Sequence, residues 1–249
     1  MAVKTNPIGI FSNSTLKIFA CLFMLIDHIG YHLLPNVEIL RLIGRLAFPI
    51  FAYLIAEGCK YTKNKLKHFL LIFIIGFLYF IFVYFYANML YGSIFLTFSF
   101  SILYIYLLQY LKKFSLTNNY EFSKIIVSII VFLIALIPSY FIFEEIEIDY
   151  GFTGMLIPVI ISIVDLKKYT INKFTKFVDN HFFKLLILTI LLVLYSFNSP
   201  FGNKQLYSLL ALIPLLLYNE KPGNKKLKYA FYIFYPAHLI IIELINMLI

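Results

Sequence analysis

The sequence predicts an all-α fold, a polytopic transmembrane helical bundle of about nine spans, with eight or ten as the neighbouring counts. The N-terminus is expected to be cytoplasmic, and residues 1–249 are expected to form a single integral-membrane domain. Three observations predict this. Hydrophobic residues make up 62% of the 249 and charged residues only 13%, against about 25% charged in an ordinary soluble domain. The apolar residues fall in runs close to the roughly 20 needed to cross the hydrocarbon as a helix. The lysines gather in every second connection.

In chain order the spans lie near 16–34, 39–58, 66–88, 93–111, 124–143, 150–165, 183–198, 204–218 and 229–248, of which 150–165 and 204–218 are the weakest. One set of connections holds Lys4 and Lys17, then Lys60, Lys63, Lys65 and Lys67, then Lys112, Lys113 and Lys124. The same set continues with Lys167, Lys168, Lys173, Lys176 and Lys184, and with Lys221, Lys225, Lys226 and Lys228. The other set carries little lysine beyond Lys204, and it holds Glu38 and the acidic run Glu144, Glu145, Glu147 and Asp149, read as a solvated face. The positive-inside rule makes the lysine-bearing set cytoplasmic. Orientation and lipid headgroups then account for the net charge of +9, so membrane lipids are expected partners and nucleic acid is not.

The residues 166–182 read as an amphipathic connector. Cys21 and Cys59 lie in no C-x-x-C motif and read as small buried hydrophobes. A cleaved leader is not expected, because the first apolar run contains Asp-His and no small-x-small site.

Ionisable groups inside spans are costly and face a cavity or one another. At about 1.5 Å per residue, His28 lies roughly 18 Å above the inner end of the first span and Arg45 roughly 20 Å above that of the second. Asp27 is one step below His28, and His32 is one turn outward of it. Arg41 is one turn outward of Arg45, and Glu57 sits near the inner mouth. The last span brings His238, roughly 14 Å above its inner end, inside "YPAHL" with Tyr235 and the helix-kinking Pro236. One ion pair would lock two helices, but five or six such groups at adjacent depths exceed that need.

Histidine serves as a base or acyl-accepting nucleophile near neutral pH, and arginine serves as a clamp for an anion or oxyanion. His28 and His32 at i, i+4 lack a third ligand, so no metal is expected. Nothing resembles a Walker loop, a G-x-G-x-x-G or a G-x-S-x-G. Intramembrane Asp, His and Arg also build proton relays, so a proton-coupled transporter is the alternative class. No repeat supports it, and inverted halves are common in transporters.

The stretches "LKIFACLFMLIDHIGYHLLP" and "LRLIGRLAFPIFAYLIAEGCKYTKN" resemble the opening of the TraX family. "DYGFTGMLIP" at 149–158, "GNKQLYSLLALIPLLLYNEKPG" and "LKYAFYIFYPAHLIIIELI" resemble its middle and end, so the likeness runs from about residue 16 to 245. The resemblance implies a multipass acyltransferase of the bacterial cytoplasmic membrane, like the pilin N-acetylase for which the family is named. It implies acetyl-CoA as co-substrate and a pilin or other cell-envelope acceptor as partner. Asp27, His28, Arg41, Arg45 and Glu57 fall on its first two motif blocks and His238 on its last. On that basis His28, Asp27, Arg45 and His238 are the expected catalytic group. Arg41, Glu57, His32 and Tyr235 are expected along the substrate path, with lysines of 60–67 or 221–228 on the phosphates of the donor.

Overall fold

A computed structural model describes residues 9–116, 121–199, 201–224 and 227–248. Lys4, Lys225 and Lys226 lie outside the described residues, as does the side chain of Lys228. The fold is an all-α helical bundle, apart from a two-residue parallel pair.

Helix α1 (Asn13–His32) starts where Ser12 Oγ accepts a bond from Thr15 N–H at 3.3 Å. It is followed by α2 (Glu38–Gly44), α3 (Ala47–Tyr61) and α4 (Lys65–Ala87), the last capped by Asn64 and ended by left-handed Asn88. Then come β1 (Tyr91–Gly92), α5 (Ile94–Leu116), α6 (Phe122–Glu145), β2 (Glu147–Ile148) and α7 (Gly151–Ile163). Short α8 (Lys173–Val178) opens with a reciprocal Asn172–Thr175 cap, and α9 (His181–Asn198) follows. The chain closes with a 3-10 segment (Gly202–Ala211), α10 (Leu212–Leu216) and α11 (Lys228–Asn246).

Among the described residues, six stretches are long and apolar enough to cross a membrane: Asn13–His32, Glu38–Tyr61, Lys65–Ala87, Ile94–Leu116, Phe122–Glu145 and His181–Asn198. Gly151–Ile163 and Ala230–Asn246 are apolar but shorter. The expected span at 204–218 takes a different form. It is ten residues of 3-10 helix followed by five of α-helix rather than one continuous α-helix.

The second span is broken between α2 and α3, at Arg45 and Leu46. Pro49, in the first turn of α3, has no N–H to return to the Arg45 carbonyl, and its ring crowds that carbonyl. The arginine thus sits at a helix interruption rather than in mid-helix.

The chain divides into two compact units, one of residues 1–54 and 185–249 and one of residues 55–184. In the first, α1 packs on α2 and on α11. A seam joins residues 9–14 to 217–224. Ile10 and Phe11 N–H donate to the Leu217 carbonyl, Asn219 N–H to that of Phe11 and Asn13 N–H to that of Lys221. In the second unit, α5 packs on α4, α6 and α7. Asp149 closes one end of it, accepting from Tyr91 OH at 2.5 Å and from Ile94 N–H at 3.1 Å. The acidic run is therefore split: Glu144, Glu145 and Glu147 are exposed as expected, while Asp149 caps α5. Both cysteines are buried and unoxidised.

Two glycines let α1 and α2 close on each other. A Cβ on Gly30 would come 2.7 Å from that of Leu40, and one on Gly44 would come 2.1 Å from Asp27 Oδ1. Gly44→Ala is expected to cost about 1–3 kcal/mol, the usual penalty for forcing atoms into a filled site. A Cβ on Gly58 would meet only His68 Cε1, at 4.0 Å. Gly58→Ala should therefore be neutral or stabilise by up to about 1 kcal/mol through helix propensity. Thermal unfolding of the two variants in detergent checks the contrast.

Candidate functional site

Asp27 is the hub of the first unit. Its Oδ2 lies 2.7 Å from Arg41 Nη1, and its Oδ1 and Oδ2 lie 2.9 and 3.0 Å from Arg45 Nη2. Arg41 Nη1 also donates to the Asp27 carbonyl at 3.2 Å, and Arg45 Nε to that of Arg41 at 3.2 Å. Phe201 lies under both guanidinium groups, 4.1 Å from Arg45 Cζ and 5.7 Å from Arg41 Cζ, and Tyr31 lies 4.9 Å from Arg41 Cζ. Aromatic faces of this kind attract desolvated cations. One carboxylate against two guanidiniums leaves a surplus of one positive charge, in a place where Arg45 is only 5% exposed.

One residue further along α1, His28 meets α11. His28 Nδ1 lies 2.8 Å from His238 Nε2, across 210 residues of chain. His238 Nδ1 lies 2.8 Å from the Phe234 carbonyl oxygen. A carbonyl only accepts, so His238 Nδ1 carries the proton and donates it. The lone pair of a neutral His238 is then on Nε2, which accepts from His28 Nδ1–H. It follows that neutral His28 keeps its own lone pair on Nε2. Phe234 stacks on His238 at 4.9 Å between centroids, and buried Tyr235 meets it edge-on at 5.6 Å.

The structure thus brings Asp27, His28, Arg41, Arg45, His238 and Tyr235 together in one unit. The carboxylate contacts of Asp27 go to the arginines and not to the imidazole of His28. His32 stands one turn from His28, its ring centroid 6.3 Å away, and packs edge-on against Tyr31 at 4.8 Å. Among the described residues, no group of three or more His, Cys, Asp or Glu converges as a metal site would require.

Glu57 belongs to the other unit and to a different cluster. Its Oε1 lies 2.6 Å from Lys184 Nζ, which lies 2.6 Å from Asp165 Oδ1. Lys60 Nζ bridges Asp165 at 3.0 Å and Asp179 at 3.1 Å. Asp179 Oδ2 accepts from the backbone N–H groups of Leu166 and Lys167, and Lys112 donates to the Ser162 carbonyl at 2.7 Å. Lys60 is thus engaged with carboxylates, while Lys63, Lys65, Lys67 and Lys221 are exposed.

The family model described as "TraX protein" matches residues 12–246. The chain belongs to the TraX family. Of the five stretches that carry the resemblance, the first two and the last meet at Asp27, His28, Arg41, Arg45 and His238. This TraX-family chain is also 42% identical over 52 residues to an uncharacterized protein of Rickettsia prowazekii (strain Madrid E). That match spans 21% of either chain, about a fifth of the relative's length. No solved structure matches.

Sequence reasoning missed four participants: Gly44 as the seat of Asp27, Phe201 beneath the arginines, and Lys184 and Asp165 around Glu57. The small residue beside Arg45 in "IGR" was the available sign of the first. Phe201 is remote in sequence from Arg45, Lys184 is 127 residues from Glu57, and Asp165 reaches Lys60 and Lys184 from a connector, so no local pattern reveals them.

Burial alone would push the Asp165 carboxyl up, but the ammonium groups of Lys184 and Lys60 outweigh it and hold the group below the usual aspartate range. A carboxylate depressed in the folded chain stabilises the fold above its unfolded value, near ~3.9, and that stabilisation is lost as pH falls through the lower folded value. The melting temperature in detergent should therefore hold between about pH 7 and 5 and fall below about pH 4. Asp165→Asn should lower the plateau and flatten the acid limb.

Proposed function

We propose that this chain is a multipass membrane acyltransferase. It moves an acetyl group from acetyl-CoA to an amine or hydroxyl of a cell-envelope or pilin-type acceptor. The lysine-bearing connections are cytoplasmic in this reading, and the exposed Lys221, in the same unit as His28, is available to the donor's phosphates as a point charge.

The observation that carries the proposal is the oriented histidine pair. The Phe234 carbonyl fixes the tautomer of His238, and His238 in turn fixes that of His28. His28 Nε2 is thereby the basic nitrogen. It takes the proton from the acceptor nitrogen or oxygen as that atom attacks the thioester carbonyl. The carbonyl oxygen gains negative charge, which the surplus positive charge of Asp27, Arg41 and Arg45 stabilises. As the tetrahedral species collapses, the carbon–sulfur bond breaks and the sulfur of CoA takes the proton from His28. Protonated His28 donates from both nitrogens, and His238 Nε2 is already placed to accept one of those bonds. Membership of the TraX family supports the same reading, since pilin acetylation is the activity associated with that family.

Mass spectrometry of envelope components tests it, comparing a deletion strain with strains expressing the wild type or a variant. The wild type should restore a species heavier by one acetyl group. Arg45→Ala should lower its rate of formation about 100- to 1000-fold, as expected for loss of an oxyanion-stabilising donor. His28→Ala should lower it by about 10²- to 10⁴-fold, as for loss of a general base. Wild-type acetylation by both the His28→Ala and His238→Ala proteins would overturn the assignment. Ion flux independent of CoA in vesicles would point to a transporter instead.

A further inference from the structure

The 3-10 segment Gly202–Ala211 buries Gln205, Ser208 and Ala211, every third position. A 3-10 helix has three residues per turn, so these three lie in one line along the inner side. The first turn exposes Asn203 and Lys204, and beyond it Leu206, Tyr207 and Leu210 are 38%, 47% and 46% exposed. Over residues 205–210 the apolar side chains thus face outward and the polar ones inward, the pattern of a lipid-embedded element that lines a polar interior.

The inner line is also unsatisfied. Gln205 and Ser208 are each 0% exposed, and Gln205 Nε2, Gln205 Oε1 and Ser208 Oγ have no hydrogen-bond partner among the described residues. Buried amides are nearly always paired, and a glutamine with both ends unpaired is destabilising unless something else meets it. A ten-residue run of 3-10 helix is itself uncommon, and it is what brings the amide and the hydroxyl into line. The segment is anchored next to the arginines. Phe201, which immediately precedes it, lies 4.1 Å from Arg45 Cζ, and Lys204 forms an ion pair with Glu38. At about 2.0 Å per residue, Gln205 is roughly 8 Å along the chain from Phe201.

We infer that Gln205 and Ser208 are binding groups for the secondary amides of the substrate. A carboxamide offers one donor and one acceptor side by side; a trans amide turns its own C=O and N–H to opposite edges, so the complement is the C=O of one secondary amide and the N–H of the next. A carboxylate or phosphate would leave the Gln205 oxygen facing like charge. The identity of the ligand rests on the acyl-transfer reading, which supplies two sources of secondary amides: the pantetheine arm of the thioester donor and the backbone of a peptide acceptor.

The test is thermal unfolding of the purified chain in detergent, with pantetheine, with N-acetylalanine methylamide, and with adenosine 3′,5′-bisphosphate, which has no such amide. Gln205→Met keeps the volume and removes both orphan atoms. Without ligand it should melt a few degrees above the wild type, in the range of roughly 2–8 °C for loss of such a penalty. One of the two amide probes should stabilise the wild type and fail to stabilise Gln205→Met. Pantetheine as that probe assigns the donor arm, and the alanine derivative assigns the acceptor. Ser208→Ala, which is too small a change to unfold the chain, should weaken the same response by about tenfold in half-saturating concentration, as for loss of one hydrogen bond. The inference is overturned if Gln205→Met melts at or below the wild type, if neither amide probe stabilises the wild type, or if wild type and variant respond alike. The His28→Ala and His238→Ala variants separate this inference from the reading it rests on. Should His28→Ala and His238→Ala both transfer acetyl at the wild-type rate while Gln205→Met loses its probe response, the amide site stands and the general-base mechanism falls.

Discussion

The first unit depends on a buried carboxylate shared by two arginines. An isolated ionised group is very expensive in a low-dielectric interior, and a matched pair barely recovers that cost. Asp27 therefore requires that α1 and α2 approach closely enough for both guanidinium groups to reach it. The approach requires glycine at 30 and 44, and the exposed side of the guanidinium pair requires an aromatic floor, which Phe201 supplies. The break in the second span at Pro49 turns the chain where Arg45 must point, so a backbone rule and an electrostatic demand meet at one residue. His28 follows Asp27 by one step on α1, and its placement is inherited from this arrangement.

The two charged clusters differ in their balance. Around Glu57, the carboxylates of Glu57, Asp165 and Asp179 pair with the ammonium groups of Lys60 and Lys184, while Lys112 and Lys167 donate to the carbonyls of Ser162 and Asp179 at its edge. This cluster ties the connector between α7 and α9 to α3 and α5. At Asp27 the proportion is reversed, with one carboxylate between two guanidinium groups. Glu57 was expected along a substrate path because its depth and residue type fitted one. Its partner Lys184 is 127 residues away, and nothing within a span marks which distant cation will arrive.

Much of the rest was legible. Hydropathy located the six long apolar stretches, since burying a backbone in lipid demands about the same length of apolar helix everywhere. The titratable residues of the first, second and last apolar runs stood out by residue type alone. The winding of 204–218 was not legible, because hydropathy counts composition and not hydrogen-bond pattern. Its leucines face outward as they would in a spanning helix, but Gln205 and Ser208 keep the inner line polar and the backbone winds more tightly. The acidic run was misjudged at Asp149 alone, because a single carboxylate finding the start of α5 depends on a fold-back that no local pattern announces.

The sequence separations of the contacts set an order of assembly. Asp27 and its arginines are 14 and 18 residues apart, so the first hairpin can neutralise its own charges as soon as it leaves the ribosome and enters the bilayer. His28 must wait for residue 238, in α11. Until then one imidazole of the pair has no partner. The first two helices are thus committed to each other long before the histidine pair can form.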